Sequence, residues 1–433
     1  MNNLGKYHRP PEMENQAKID RISNLPWDVL DSILVHLPLR EAARTSILSR
    51  KWRYKWTGLS QFVFDDKCIR SSLSDKVARW VEIMKIINKV RFYHSGPIEK
   101  FKLATYCCPN YSDLNQWIDF LTEKGIKELI IQDFSFIKRF KLPSCVFSCP
   151  KLNCLELYGC IFRLPTFFRG FDCLKSLQLS HSFIVSDTLE SLICNCPVLE
   201  KLTLWNIDHL SFVRIHNPNI KYLKLDSKFE DICLGSSSLL ATVDIRMIPM
   251  YGHAILRRHE QGKVCNLVRV LGCLDSINKL SLYGQFLEFL ANDDVPERLP
   301  TMLNCLLALD LREVRFTRLR DLKASISILR SCPNLEELLI TVDTSSQEHT
   351  TVTDFVRAQC LCDFYFNKLK VVKIRGIFGS GTEWEFIKLL LAHSPMLELM
   401  TIVKYSGGER ISELLLQQLD RASEHVKFTS LTL

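Results

Sequence analysis

Long apolar runs are missing from this sequence. No stretch of about 18 consecutive apolar residues is present, so no membrane-spanning helix and no membrane partner are expected. No N-terminal apolar run with a cleavage site indicates secretion, so we expect reduced cysteines and a cytoplasmic and/or nuclear protein. Hydrophobic residues still make up 47% of the 433 residues, which is ample for a buried core.

Signatures of catalysis are missing as well. There is no G-x-S-x-G, P-loop or H-E-x-x-H motif. Residues 376–381 (GIFGSG) carry three glycines without a lysine at P-loop spacing, so they predict a tight strand-to-helix turn. Histidines are scattered and leave a Cys/His nucleophile pair open: His181, His209, His216 and His253. We expect no catalytic residue, no cofactor and no metal.

Blocks of basic residues and paired metal-binding cysteines are also missing. The net charge of +8 is spread along the chain, so nucleic-acid binding is not expected. The 17 cysteines show no C-x-x-C pair with a matching second pair. Instead, Cys149, Cys196 and Cys332 each precede Pro-x-Leu, and Ser394 keeps the frame without cysteine. Cysteines at a fixed place in a repeat are expected to fill small buried sites.

Residues 19–65, which we call the N-terminal module, read as three short helices. Pro26 suits a first helical position, and Pro38 stops the first helix. A third helix is predicted from Ser49, with Trp52 and Trp56 on one face. The first helix has a broad apolar face of Val29, Leu30, Ile33, Leu34 and Leu37. Some apolar residues must close a local core, for which Leu34, Ile47 and Trp56 suffice. A segment this short more often completes its core against a partner.

A repeated frame, L-x-x-L-x-L, organises the sequence after residue 100. Most steps between copies fall near the 20–29 residues of leucine-rich repeats, and the alternation predicts short parallel strands. The longest step implies an insertion whose exposed tip is residues 257–263. The frames start at Ile126, Leu152, Leu174, Leu199, Ile220, Leu240, Ile277, Leu306, Leu335, Leu369 and Leu397.

Flanking segments complete the prediction. Residues 74–90 form an amphipathic helix with Val77, Trp80, Val81, Met84 and Ile87 on one face, placed to cap the first repeat. Residues 1–18 are predicted to be disordered. Residues 344–353 read as a polar loop and residues 382–393 as a helix.

The N-terminal module resembles an F-box, and the chain as a whole is similar to plant proteins in which an F-box precedes leucine-rich repeats and a C-terminal FBD segment. The resemblance implies an α/β fold: a small three-helix F-box, then an irregular leucine-rich-repeat solenoid with strands on the concave and helices on the convex face. The implied division is disordered 1–18, F-box 19–65, linker with amphipathic helix 66–100, repeats 101–350 and FBD segment 351–433.

In that family the F-box binds a Skp-type adaptor and, through it, a cullin. The resemblance implies the following contact or supporting residues: Leu25, Pro26, Leu30, Ile33, Leu34, Leu37, Pro38, Leu48 and Trp52. It further implies a non-catalytic substrate-recognition subunit of an SCF-type ubiquitin ligase, whose repeats hold an unknown target protein. Two alternatives stay open. One is a repeat scaffold outside any ligase. The other is a co-receptor for a hormone or inositol phosphate, which a basic inner-face cluster would favour: Lys201, Lys221, Lys224 and Lys279.

Overall fold

The computed structural model describes residues 24–65, 68–69, 75–106, 112–134, 139–235, 239–248, 266–291, 295–343, 352–361, 364–405 and 419–432. The predicted disordered segment 1–18, the predicted insertion tip 257–263 and most of the predicted polar loop 344–353 lie outside these residues. Thr353, the last residue of that loop, begins a helix.

A single parallel sheet dominates the fold. Fourteen strands pair in the order in which they occur along the chain, as β1-β2-β3-β5-β7-β8-β10-β12-β13-β14-β15-β16-β17-β18. Two small ladders join β4 with β6 and β9 with β11. The strands are β1 (Gln61–Phe64), β2 (Lys100–Thr105), β3 (Glu128–Asp133), β4 (Phe140–Lys141), β5 (Cys154–Tyr158), β6 (Cys160–Ile161), β7 (Ser176–Ser180), β8 (Lys201–Trp205), β9 (Phe212–Ile215), β10 (Tyr222–Ser227), β11 (Asp231–Leu234), β12 (Thr242–Met247), β13 (Lys279–Tyr283), β14 (Ala308–Val314), β15 (Glu337–Val342), β16 (Val371–Ile377), β17 (Leu399–Lys404) and β18 (Lys427–Thr432).

The predicted repeat frames account for most of this sheet. Each of the eleven frames is followed, two residues after its first position, by a strand of the main sheet. Within a strand such as β8, Leu202 and Leu204 are completely buried, while Lys201 and Trp205 face away from the core and are exposed. This alternation follows from the two-residue period of extended chain. It divides the sheet into a face packed against helices and a second face, which we call the open face.

Helices fill the connections between strands. They are α1 (Trp27–Leu34), α2 (Leu39–Arg44), α3 (Lys76–Tyr93), α4 (Ser112–Glu123), α5 (Ser186–Cys194), α6 (Asn266–Leu271), α7 (Gly284–Leu290), α8 (Leu319–Arg330), α9 (Thr353–Gln359) and α10 (Gly381–His393). The apolar residues of the helices and the inward residues of the strands belong to one continuous core that runs from Leu30 to Val426.

Helix α3 differs from its prediction in two respects. It buries Trp80 and Met84 as expected, together with Ile83, Ile87 and Val90, but Val77 and Val81 are 48% and 44% exposed. The helix also joins β1 to β2 in the sheet, so it is a connecting helix of the array and the prediction of a cap over the first repeat is wrong.

Three local predictions for the N-terminal module are wrong. No regular third helix forms after Ser49; turns lead into a short 3₁₀ segment, Lys55–Gly58, because the chain must bend there to enter β1. Ile47, predicted to help close a local core, is 85% exposed. Pro26 precedes α1 as its N-cap instead of lying at its first position.

Candidate interaction surfaces

Only one side of the N-terminal module is covered by the residues that the structure describes. On α1, Leu30 and Leu34 are buried in the common core. The next apolar positions of the same helix, Val29 and Ile33, are 43% and 46% exposed, and Leu37 just beyond it is 39% exposed. Exposed apolar side chains that form a contiguous patch mark an interaction surface more often than a solvated one.

The nine predicted contact residues divide between this surface and the core. Pro26, Ile33, Leu37, Pro38 and Leu48 are exposed, and Leu25 is partly buried. Leu30, Leu34 and Trp52 are at most 6% exposed, so any contribution from them to binding would be indirect, through the shape of the module. Their role in binding an adaptor stays a prediction.

The module is joined directly to the sheet. The Asp31 carboxylate accepts hydrogen bonds from the backbone N–H and the hydroxyl of Ser60, at 3.2 and 2.7 Å. The Ser60 carbonyl in turn accepts from the N–H groups of Glu99 and Lys100 at the start of β2. Trp27 lies against Gly58, where a Cβ atom would come within 2.8 Å of the indole ring. These contacts fix the orientation of α1 relative to the first strands.

Three of the lysines on which the small-molecule alternative depends, Lys201, Lys224 and Lys279, lie on the open face, and Lys221 directly precedes β10. Lys221 pairs with Glu200 at 3.0 Å, and Lys224 lies 3.8 Å from Asp244. The ammonium of Lys201 lies over the ring of Tyr222. These three lysines therefore contact partners within the chain, and the structure does not present the four as a basic cluster.

A row of aromatic rings also lies on the open face, where β2, β3, β5, β7 and β8 end. Centroid separations between successive rings are 5.4, 4.7, 4.7 and 4.6 Å. We call this set the aromatic row; its members are Tyr106, Phe134, Tyr158, His181 and Trp205.

The repeat cysteines and the glycine-rich segment lie where the sequence predicts them. The three repeat cysteines are buried as predicted, and Ser394 is fully buried at the equivalent position. The GIFGSG segment forms the predicted turn between β16 and α10. Its N–H groups at residues 378–380 donate to the carboxylate of Glu383, which is only 3% exposed and occupies the place that an anion would take in such a turn.

One Cys/His pair does come together. Cys233 Sγ lies 3.9 Å from His216 Nε2, and both side chains are exposed. An activated nucleophile normally lies within about 2.6–3.2 Å of its base, so this separation is long for catalysis. Among the described residues, no three His, Cys, Asp or Glu side chains form a group able to hold a metal ion. None of the described helices is both long and apolar enough to cross a membrane.

Comparison with known proteins decides the family. Residues 22–63 match the F-box domain, and residues 114–340 match the family described as FBD-associated F-box protein At5g56370, LRR repeats. F-box/FBD/LRR-repeat protein At1g13570 of Arabidopsis thaliana is 38% identical to this chain over 88% of the chain and 91% of that protein. This chain belongs to the F-box/FBD/LRR-repeat family.

More distant members of the family align over a similar length. F-box/FBD/LRR-repeat protein At1g78750 is 25% identical over 94% of both chains, and F-box/LRR-repeat protein 13 is 24% identical over 93% of both; both are from Arabidopsis thaliana. The predicted family and the predicted fold, an F-box followed by a leucine-rich-repeat solenoid, are therefore confirmed. An F-box combined with leucine-rich repeats is the composition of an adaptor-type protein of the SCF class.

Sequence reasoning missed part of the F-box surface. Ile47 and Tyr54 are 85% and 64% exposed and adjoin the predicted contact residues in sequence. Ile47 is predicted to help close the local core, and its exposure contradicts that prediction. The pair Ile47-Leu48 between polar Ser46 and Ser49 was the available signal, because two consecutive apolar residues cannot both face the core of so small a module.

Proposed function

We propose that this chain is the substrate-recognition subunit of an SCF-type cullin-RING ubiquitin ligase. The observation that carries the proposal is the exposed apolar surface of the F-box, where Ile33, Leu37 and Leu48 are not covered by the described residues of the solenoid. A Skp-type adaptor would cover this surface and would connect the chain to a cullin. Residues 1–64 carry ten Lys/Arg and six Asp/Glu, a surplus of positive charge that favours the approach of an acidic adaptor.

The proposed mechanism is proximity. The repeats hold a target protein while the F-box holds the adaptor, so the target's lysines are kept near the ubiquitin-loaded enzyme. Tethering of this kind raises the effective concentration of the reacting groups without new chemistry in the tether. We therefore propose that the chain performs no catalytic step of its own. The domain division and the cytoplasmic and/or nuclear location stay predictions.

The test is co-purification with a Skp-type adaptor and a cullin. Ile33→Asp together with Leu37→Asp places two charges on the exposed surface, and both partners should be lost. Leu34→Asp is unsuitable, because Leu34 is 1% exposed and a charge there would disrupt the core. Leu319→Asp is a matched control, since this apolar residue of α8 is 38% exposed and distant in the fold. Undiminished capture of both partners by the double variant, with the circular dichroism spectrum unchanged, contradicts the proposed interface.

A further inference from the structure

The aromatic row ends at the carboxylate of Asp226, which forms no ion pair with the described residues, although the charges of Arg246 and Lys224 act on it from a greater distance. In the sheet register Trp205 of β8 lies beside Asp226 of β10, which in turn lies beside Arg246 of β12. Oδ1 of Asp226 is enclosed and accepts no hydrogen bond from the described residues. Burial is the main cause that raises the pKa of Asp226 above its ordinary value. The other carboxylate oxygen, Oδ2, is not enclosed in this way and Asp226 is only half-buried, so a cation that approaches from solvent can pair with the carboxylate there.

The neighbouring cations of the open face are already engaged. Arg246 donates to Glu313 at 2.8 Å, and its guanidinium lies 5.1 Å from the ring centroid of Tyr283, on the side of the sheet away from Trp205. Lys224, on the same strand as Asp226, lies 3.8 Å from Asp244. No ion pair of Asp226 occurs among the residues that the structure describes.

The aromatic row offers apolar surface over a length that a short extended peptide can cover. Tyr106 and Trp205, its two ends, are 54% and 43% exposed. From β2 to β10 there are five strand intervals, which at about 4.8 Å each span about 24 Å. Extended chain advances about 3.3 Å per residue, so a segment of about seven residues covers this distance.

We propose that the aromatic row and Asp226 together form the target-binding site, and that its occupant is an extended peptide segment in which a lysine or arginine accompanies apolar residues. The cationic side chain would lie over the exposed indole of Trp205, as cations do at aromatic faces, and pair with the Asp226 carboxylate. The apolar residues would lie along the remaining rings. This inference rests on the proposed function and adds to it the chemistry of the target.

The experiment uses the full chain and a library of displayed random 12-residue peptides. Selection on the unaltered protein should enrich peptides with a basic residue flanked by apolar ones. Each recovered peptide is then synthesised with its arginine or with citrulline, which is neutral and nearly the same shape. The citrulline form should bind the unaltered protein about 10- to 100-fold more weakly, as expected for loss of one hydrogen bond to a charged group.

Two variants locate the effect. With Asp226→Asn, the preference for arginine over citrulline should fall to about two- to fivefold, which is the part contributed by the indole of Trp205. Trp205→Ala should weaken the arginine peptide by about two- to fivefold. Glu337→Gln, on the open face of β15, is the matched control and should leave the discrimination intact. Equal loss for citrulline on Asp226→Asn and on the unaltered protein overturns the assignment, as does a selection that yields acidic peptides, apolar peptides without basic residues, or none above background. Adaptor co-purification tests the F-box separately, so failure of this inference and failure of the proposed function are distinguishable.

Discussion

Ile47 and Leu48 provide the most quantitative test of the F-box surface. They are 85% and 67% exposed in the free chain. Complete burial of an Ile or Leu side chain contributes about 1.5–3 kcal/mol, so covering these exposed fractions contributes about 2.3–4.6 kcal/mol in total. At about 1.4 kcal/mol per tenfold change, the double variant Ile47→Ser/Leu48→Ser should raise the Kd for the adaptor by about 40-fold to about 2,000-fold.

Titration calorimetry with purified Skp-type adaptor measures this change. Because both residues are exposed, the thermal unfolding midpoint should stay close to that of the unaltered chain. The matched control is Leu361→Ser with Met396→Ser, which removes 87% and 53% exposed apolar residues elsewhere on the fold. The control should leave the Kd unchanged. A Kd of the Ile47→Ser/Leu48→Ser variant within about threefold of the unaltered value refutes the reasoning that the adaptor covers these two residues.

Three further predictions concern the core and the junction between F-box and sheet. Gly284→Ala should destabilise the chain by about 1–3 kcal/mol, because its Cβ would lie 2.0 Å from a carbonyl oxygen of β14, whereas Gly381→Ala, with no atom closer than 3.8 Å, should be tolerated; denaturant unfolding compares the two. Iodoacetamide at neutral pH should modify exposed Cys173 and spare Cys196, since burial raises the pKa of the Cys196 thiol to about 12; mass spectrometry of the native chain reports this, and modification of Cys196 at the rate of Cys173 would contradict it. Burial lowers the pKa of His94, which packs edge-on against a phenylalanine of β1. As the pH drops below about 6.5, the unfolded state therefore binds the proton before the folded state does, and the stability of the fold should fall. His94→Phe should reduce this loss in pH-dependent thermal unfolding, and an unchanged dependence on pH would contradict the assignment.

The repeat frame predicts so much of the sheet because it is a physical requirement repeated many times. Each copy must place two apolar side chains inward on a strand, and leucine-like residues at that spacing satisfy this requirement in most copies. Two further strands obey the same frame when phenylalanine is allowed. Leu59-x-x-Phe62-x-Phe64 precedes and forms β1, and Ile98-x-x-Phe101-x-Leu103 does the same for β2. Restricting the frame to aliphatic residues hid both strands.

Other features are not local properties of the sequence. The aromatic row joins residues whose contacts depend on which strands become neighbours and on the register between them. Ile47 ends a short 3₁₀ segment, Thr45–Ile47, whose outward side no described residue covers. Val77 and Val81 fit the helical period of α3, but the sheet covers only the other side of that helix. In each case tertiary packing selects among arrangements that the local pattern permits equally well.

Strand β1 makes the F-box the first rung of a ladder that ends at β18. With rungs about 4.8 Å apart, a protein held near β8 stands about 24 Å along the sheet from that first rung, and one held near β18 about 60 Å. The number of repeats would then set the distance between the F-box and the bound protein. Adding or deleting one repeat between the F-box and the target would shift the bound protein by one strand spacing and rotate it by the twist of the sheet. A different set of the target's lysines would then face the enzyme.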